Sequence, residues 1–151
     1  MARSVLFVCL GNICRSPSAE GVFRAFAAGA GLKIEADSAG LGRWHLGNPP
    51  YGPAIRAAAA RGYDLSRQRA RQVSGTDFER FDLILGMDDD NVAGLEALRP
   101  AGNTTPVRLL LDYAPDTGVR EVPDPYYTGD FGTALDLVEA AALGLIDAFR
   151  R

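Results

Sequence analysis

At 151 residues the chain has the length of one domain, and about 150 residues can bury roughly 68–70% of the unfolded surface, so no disulfide or metal staple is needed. Hydrophobic residues at 47% and charged residues at 23% exclude a disordered chain, and no apolar run approaches the ~18 residues of a membrane span. Sixteen basic against nineteen acidic residues leave a net charge of −3, which argues against a nucleic-acid or anionic-membrane partner.

In chain order, Met1 to Val8 carries one basic residue and too short an apolar run for a signal peptide. Val5-Leu6-Phe7-Val8 is a continuous apolar run, as expected of a strand buried on both faces. Ser16 reads as a helix N-cap, with Pro17 at the first helical position and Glu20 in the first turn. Ala19, Val22, Phe23 and Phe26 follow on one face, and Gly29 and Gly31 end the helix. Lys33 to Ala39 predicts a second strand, and the Gly/Pro-rich stretch from Gly40 to Pro53 predicts a long loop of the kind that carries function. A helix is expected from Pro53 to Arg61, then a basic, surface-facing stretch at Arg67–Gln72 and a short helix at Asp77–Arg80. Leu83–Met87 reads as the third strand, Asp88-Asp89-Asp90 as the acidic start of a helix running to Leu98, and Val107–Leu111 as the fourth strand. The last helix puts Leu135, Val138, Ala142, Leu145 and Phe149 on one stripe and ends in Arg150-Arg151. Four strands separated by helices imply one doubly wound α/β domain over 1–151, flavodoxin-like, with a four-stranded parallel sheet and helices on both faces. Such sheets bind ligands beyond the carboxyl ends of their strands, and Cys9 falls at one of those ends.

Residues 9–16, Cys-Leu-Gly-Asn-Ile-Cys-Arg-Ser, join the first strand to the first helix. A loop in that position can wrap backbone N–H groups around an anion at the positive end of the helix. Gly11 and Asn12 are the residues that most readily take the left-handed conformation such a loop needs. Arg15 supplies a planar fork able to hold two phosphate oxygens at once. Cys9, set against those donors, is expected to be a thiolate nucleophile in an anion pocket, the arrangement for cleaving a phosphate ester through a phosphocysteine. A cysteine ending a core strand can also be simple packing, and the pattern Cys-x5-Arg is short. The strand–loop–helix setting and the Gly-Asn pair favour the chemical reading. With two cysteines in all, a disulfide framework is excluded and a reducing cytosol is the simplest setting.

Val8 to Pro17, followed by Ala19-Glu20, resembles the active-site signature of low-molecular-weight protein-tyrosine phosphatases. The resemblance continues through Asp37-Ser38-Ala39-Gly40, Trp44-His45-Leu46-Gly47, Ala70-Arg71-Gln72-Val73, Met87-Asp88 and Val122-Pro123-Asp124-Pro125-Tyr126-Tyr127, nearly the whole chain in the family's order. It implies metal-free, cofactor-free hydrolysis of phosphotyrosine in protein substrates by a cytoplasmic enzyme, a monomer or weak dimer. Carried over, it makes Cys9 the nucleophile, Arg15 the phosphoryl clamp and Asp124 the general acid and base, with Leu10–Ser16 as the phosphate-binding loop. It also has Ser16 assisting the thiolate, Asn12 and Ser38 holding the loop from behind, and Leu10, Ile13, Trp44, Tyr126 and Tyr127 lining an aryl slot. Cys9 and Cys14 would form a redox pair, since members similar in this segment guard the nucleophile that way.

Several of these residues have plainer readings. Asp124-Pro125 is an ordinary turn signal, Trp44 could be core or surface, His45 reads as a loop residue, and Asp88–Asp90 as a cap rather than a metal site. Gln68 stands where many members have a histidine supporting the loop asparagine, and Thr128–Phe131 is shorter than usual, so loop rigidity and the pocket rim are the expected points of difference. A related arsenate reductase would need further cysteines downstream, and none follows Cys14. A phosphocysteine carrier of sugar phosphotransfer would need neither Arg15 nor an acid, and a phosphotyrosine-binding module would need no thiol.

Overall fold

The computed structural model describes residues 3–151; Met1 and Ala2, part of the segment read for a signal peptide, lie outside the described residues. Strand β1 (Ser4–Cys9) is buried along its whole length, which is why its apolar run is unbroken. β2 (Glu35–Gly40), β3 (Leu83–Gly86) and β4 (Val107–Leu109) complete a four-stranded, all-parallel sheet in the order β2-β1-β3-β4. Side chains alternate across β1. Val5 and Phe7 pack with α1 (Arg15–Gly29) and α6 (Phe131–Arg150), whereas Leu6 and Val8 pack with Phe78, Phe81 and Leu95 around α3 (Asp77–Arg80) and α4 (Asp89–Leu98). The sheet is covered by helices on both faces, as a doubly wound α/β fold requires. Phe23 is the centre of the α1–α6 layer, its ring 5.7 Å from Phe7 and 5.9 Å from Phe149. Fully burying one such side chain is worth about 1.5–3 kcal/mol.

β1 has β2 on one side and β3 on the other, so the chain leaving β1 and the chain leaving β3 open a crevice at the carboxyl edge. The register Val8↔Gly86 sets Met87-Asp88 beside the loop that follows Cys9. That switch point is where an open parallel sheet takes its ligand.

Several boundaries differ from the sequence reading, among them the second strand, expected over 33–39 and found at Glu35–Gly40, and the third, which ends at Gly86. α1 begins at Arg15 with Cys14 as its N-cap, so Ser16 is not the cap, Pro17 is the third helical residue and Glu20 lies beyond the first turn. The loop curls into the helix early, with Ser18 N–H donating to Cys14 O at 3.1 Å, and the Ser16 hydroxyl is drawn to a sulfur instead. The fourth strand stops at Leu109, because Leu110–Tyr113 forms a 3-10 turn that buries Leu110 and Leu111 against α6. α2 spans Gly52–Ala59, starting one residue earlier and ending two earlier than predicted. A four-residue helix, α5 (Pro125–Thr128), was not expected. The basic stretch at 67–72 is only partly surface: Ala70 is buried, and half-buried Arg71 holds Asp37 and Asp77.

Candidate active site

The loop between β1 and α1 is built around one left-handed residue. Asn12 has φ 58°, the only positive φ outside glycine among the described residues, and Gly11 does not share it. Its side chain accounts for all of its polar atoms. Nδ2 donates to Ser16 Oγ at 2.8 Å and to Ser38 Oγ at 3.0 Å, and Oδ1 accepts the Arg71 N–H at 3.0 Å. Because Ser16 Oγ already accepts from Asn12, its hydroxyl hydrogen is free for Cys9 Sγ, 3.0 Å away. The Asn12 N–H also points to that sulfur, at 3.3 Å. Cys9 thus sits at the end of β1 with two donors aimed at it.

The chain of bonds runs on behind the loop. Ser38 Oγ accepts from Asn12 and donates to Glu20 Oε1 at 2.8 Å, and the buried Glu20 carboxylate passes the chain on to Arg24, whose Nε donates to Oε2 at 2.8 Å. Burial pushes Glu20's pKa up, and its hydrogen bonds with Arg24 and Ser38 pull against that. Gln68 donates to Pro17 O, in the first turn of α1, at 3.0 Å, and it is Ser16, Ser38 and the Arg71 N–H that hold the Asn12 side chain. Beneath the loop, a Cβ on Gly40 would stand 2.9 Å from Leu10 O, so the end of β2 has to be bare for the loop to rest on it.

Arg15, 5% exposed, holds the other side. Its Nη1 donates to Asp88 Oδ2 at 2.8 Å and to Val122 O at 3.0 Å, and its Nη2 lies 3.5 Å from Asp124 Oδ2. Burial alone would lower Arg15's pKa, but the bond to Asp88 and the charges of Cys9, Asp124 and Asp88 raise it overall. Asp124 caps α5 through Oδ1, which accepts the Tyr126 N–H at 3.1 Å, while Oδ2 faces the guanidinium. Asp124-Pro125, which reads as a turn signal in the sequence, is here a helix start, with Pro125 the first residue of α5. Downstream, Gly129 ends α5 at φ 74° and Asp130 caps α6, which is how the short 128–131 segment makes its turn.

These residues enclose a pocket of about 360 Å³ lined by Cys9, the loop, Arg15, Asp124 and a rim of Trp44, His45, Tyr126 and Tyr127. Leu10 and Ile13 also line it, so every residue expected in the aryl slot meets there. Trp44 is 70% exposed, and its ring is seated on Gly42: a Cβ there would fall 1.7 Å from Trp44 Cζ3. Cys14 is buried beside the pocket as a free thiol, as Cys9 is. Its pKa is pushed up to about 12 by burial and by the negative charges of Asp124 and Cys9, against the pull of Arg15.

Sequence reasoning missed three members. Asp88 read as a cap, and it does cap α4 by accepting the Asn91 N–H at 2.8 Å, but its other oxygen holds Arg15. His45 read as a loop residue and is a pocket wall. Glu20 read as a first-turn dipole partner and is instead a member of the polar chain behind Asn12. Only the polarity and spacing of Ser38 and Glu20 could have hinted at that chain.

The family model described as low molecular weight phosphotyrosine protein phosphatase matches residues 4–151. The chain is 45% identical over 150 residues to the low molecular weight protein-tyrosine-phosphatase YfkJ of Bacillus subtilis, covering 98% of this chain and 96% of that one. The crystal structure of YfkJ superposes with a TM-score of 0.94 over 99% of this chain and 96% of that chain. A low molecular weight phosphotyrosine protein phosphatase of Schizosaccharomyces pombe is 42% identical over 131 residues, 85% of this chain and 83% of that one.

Proposed function

The chain belongs to the low molecular weight protein-tyrosine phosphatases and is a hydrolase of phosphoprotein substrates; on that premise we propose that Cys9, Arg15 and Asp124 carry the reaction, without metal or cofactor. The Cys9 thiolate attacks phosphorus in line with the leaving oxygen, forming the S–P bond as the P–O bond breaks. The Arg15 fork and the loop N–H groups take the charge on the phosphoryl oxygens, and Asp124, protonated, gives its proton to the departing phenolate. In the second step the Asp124 carboxylate takes a proton from water as its oxygen attacks phosphorus. The S–P bond breaks, phosphate leaves and the thiolate returns to the Ser16 hydroxyl. Cys14, lacking a side-chain cap bond, leaves the first N–H groups of α1 for an anion. Leu10, Ile13, Trp44, Tyr126 and Tyr127 offer apolar and aromatic faces to the tyrosyl ring. Asn12, Ser16 and Ser38 keep the loop and sulfur in register.

The observation that carries this reading is Cys9 Sγ receiving the Asn12 N–H and the Ser16 hydroxyl in the pocket that Arg15 and Asp124 share. The same thiol, once oxidised to a sulfenic acid, has Cys14 beside it to form a disulfide, a reversible guard on the nucleophile. With two cysteines in all, too few for a disulfide framework, a reducing cytoplasm is the simplest working compartment, with 1–151 acting as one domain and a monomer or weak dimer as the working form. Among the described residues no helix is long and apolar enough to cross a membrane.

The test is turnover of phenyl phosphate and a phosphotyrosine peptide by wild type and Cys9→Ser, with and without chelator, plus acid quenching of the labelled intermediate. Chelator-insensitive turnover, a label on Cys9 and an inert serine variant that still binds phosphate are expected. Near wild-type rates from Cys9→Ser would exclude the covalent route.

A further inference from the structure

Next to the catalytic pocket lies a second hollow of about 290 Å³, walled by Ile13, His45, Asn48, Pro49, Tyr51 and Tyr126. Ile13, His45 and Tyr126 wall both, so single side chains divide them. No wall residue of the second hollow is an acid, lysine or arginine; its polar side-chain groups are the His45 ring, the Asn48 amide and the hydroxyls of Tyr51 and Tyr126. That lining suits an uncharged side chain and offers a charged one no opposite charge.

The walls are fixed in advance. The Tyr51 N–H donates to Ile13 O at 2.8 Å, the Asn48 N–H to His45 O at 2.9 Å, and Asn48 O accepts the Ala70 N–H at 2.8 Å. The Tyr51 ring packs at 5.1 Å from Tyr126 and 6.3 Å from Phe131. Among the described residues nine large apolar side chains are exposed, and five of them, Leu10, Trp44, Tyr51, Tyr126 and Tyr127, line one hollow or the other. Apolar exposure gathered at one mouth marks a recognition surface.

We infer that the second hollow is a substrate subsite that takes an aliphatic or aromatic side chain from within two residues of the phosphotyrosine. The inference rests on the phosphatase reading, because the occupant is fixed by continuity: the phosphotyrosyl group fills the first hollow, and the second opens across a shared wall. In an extended peptide, side chains two apart point to the same face, roughly 6.6–6.8 Å further along, so the residue after next is the one directed at the neighbouring hollow. A turned peptide brings the adjacent residue there instead.

The test uses phosphotyrosine peptides carrying Leu, Phe, Glu or Lys at each of the two positions on either side, with phenyl phosphate as the reference that fills only the first hollow. At one position Leu or Phe is expected to exceed Glu and Lys by about tenfold in kcat/KM, mostly through KM, the size of a methylene-scale contact in an apolar pocket. Asn48→Asp keeps the side-chain shape and leaves its backbone bonds in place, and it should lower the Leu-to-Lys ratio about fivefold; Pro49→Asp is the second variant should the first not fold. Each rate is divided by that of phenyl phosphate on the same preparation. No position with more than a twofold preference, or a Leu-to-Lys ratio unmoved in the variant that folds, overturns the subsite. So does a variant that changes sedimentation but no peptide ratio, which would make the hollow a contact between copies of the chain. Failure on phenyl phosphate itself would overturn the phosphatase reading instead.

Discussion

Replacing Asp88 by Asn separates its two tasks, because the amide keeps an oxygen for the Asn91 N–H and loses the charge that faces Arg15. The two charged groups meet at 2.8 Å, with the arginine 5% and the aspartate 22% exposed. At an effective dielectric of about 20 and a charge separation of ~4 Å, their attraction is roughly 4 kcal/mol before desolvation is subtracted. A net loss of about 1–2 kcal/mol in unfolding free energy is expected for Asp88→Asn, since Nη1 keeps Val122 O as an acceptor but meets the amide NH2, a donor, where the carboxylate oxygen stood. The kinetic cost comes from aim. Without the Asp88 charge the guanidinium is drawn toward Asp124, already 3.5 Å away, and its fork no longer presents both nitrogens to a phosphoryl group. We expect about a tenfold fall in kcat/KM for phenyl phosphate, equivalent to about 1.4 kcal/mol of transition-state stabilisation. Asp88→Ala also removes the cap and should cost a further ~0.5–2 kcal/mol of stability with no additional rate loss. Urea unfolding and steady-state kinetics on the three proteins measure both quantities. An Asn variant with wild-type kcat/KM would refute the positioning role.

Asp124→Asn is expected to slow single-turnover cleavage by ~10²–10⁴-fold with tyrosine phosphate and by much less with nitrophenyl phosphate, whose anion leaves without a proton; equal losses on both would make Asp124 structural. With its pKa pushed up to about 12, Cys14 is a neutral thiol at pH 7, and its reactive thiolate fraction grows with pH below that value. Closure of the Cys9–Cys14 disulfide after brief peroxide should therefore quicken about tenfold per pH unit between pH 7 and 9, read by mass spectrometry, and Cys14→Ser should lose recovery by dithiothreitol. A flat pH profile, or a serine variant that recovers as wild type does, counts against the guard.

The sheet was legible because β1 is buried on both faces and cannot hide its apolar run, and because glycines follow α1 and α2 and Asp88 caps α4. What misled was local ambiguity. Val107 to Leu111 reads as one strand, yet Leu110 and Leu111 turn away to bury against α6, and a short apolar run looks the same in either conformation. Ser16-Pro17 carries the composition of a helix start. A preceding loop that already coils, and a sulfur 3.0 Å from the hydroxyl, moved the start two residues back.

The pocket was legible in part for a related reason. Cys9, Arg15 and Asp124 were visible as chemistry, whereas Asp88 was visible only as a cap, and the structure gives Asp88 and Asp124 the same double use. In each, Oδ1 accepts a backbone N–H at a helix start, from Asn91 in one case and Tyr126 in the other, and Oδ2 is turned to Arg15. The cap fixes the side-chain rotamer, and a fixed rotamer is what keeps the second oxygen aimed at the guanidinium. Structural and functional readings of such an aspartate are therefore not rivals. Local sequence reports the cap, because its partners lie two and three residues away. The second use appears only when the register of β3 beside β1 brings position 88 against position 15, a contact 73 residues apart in the chain.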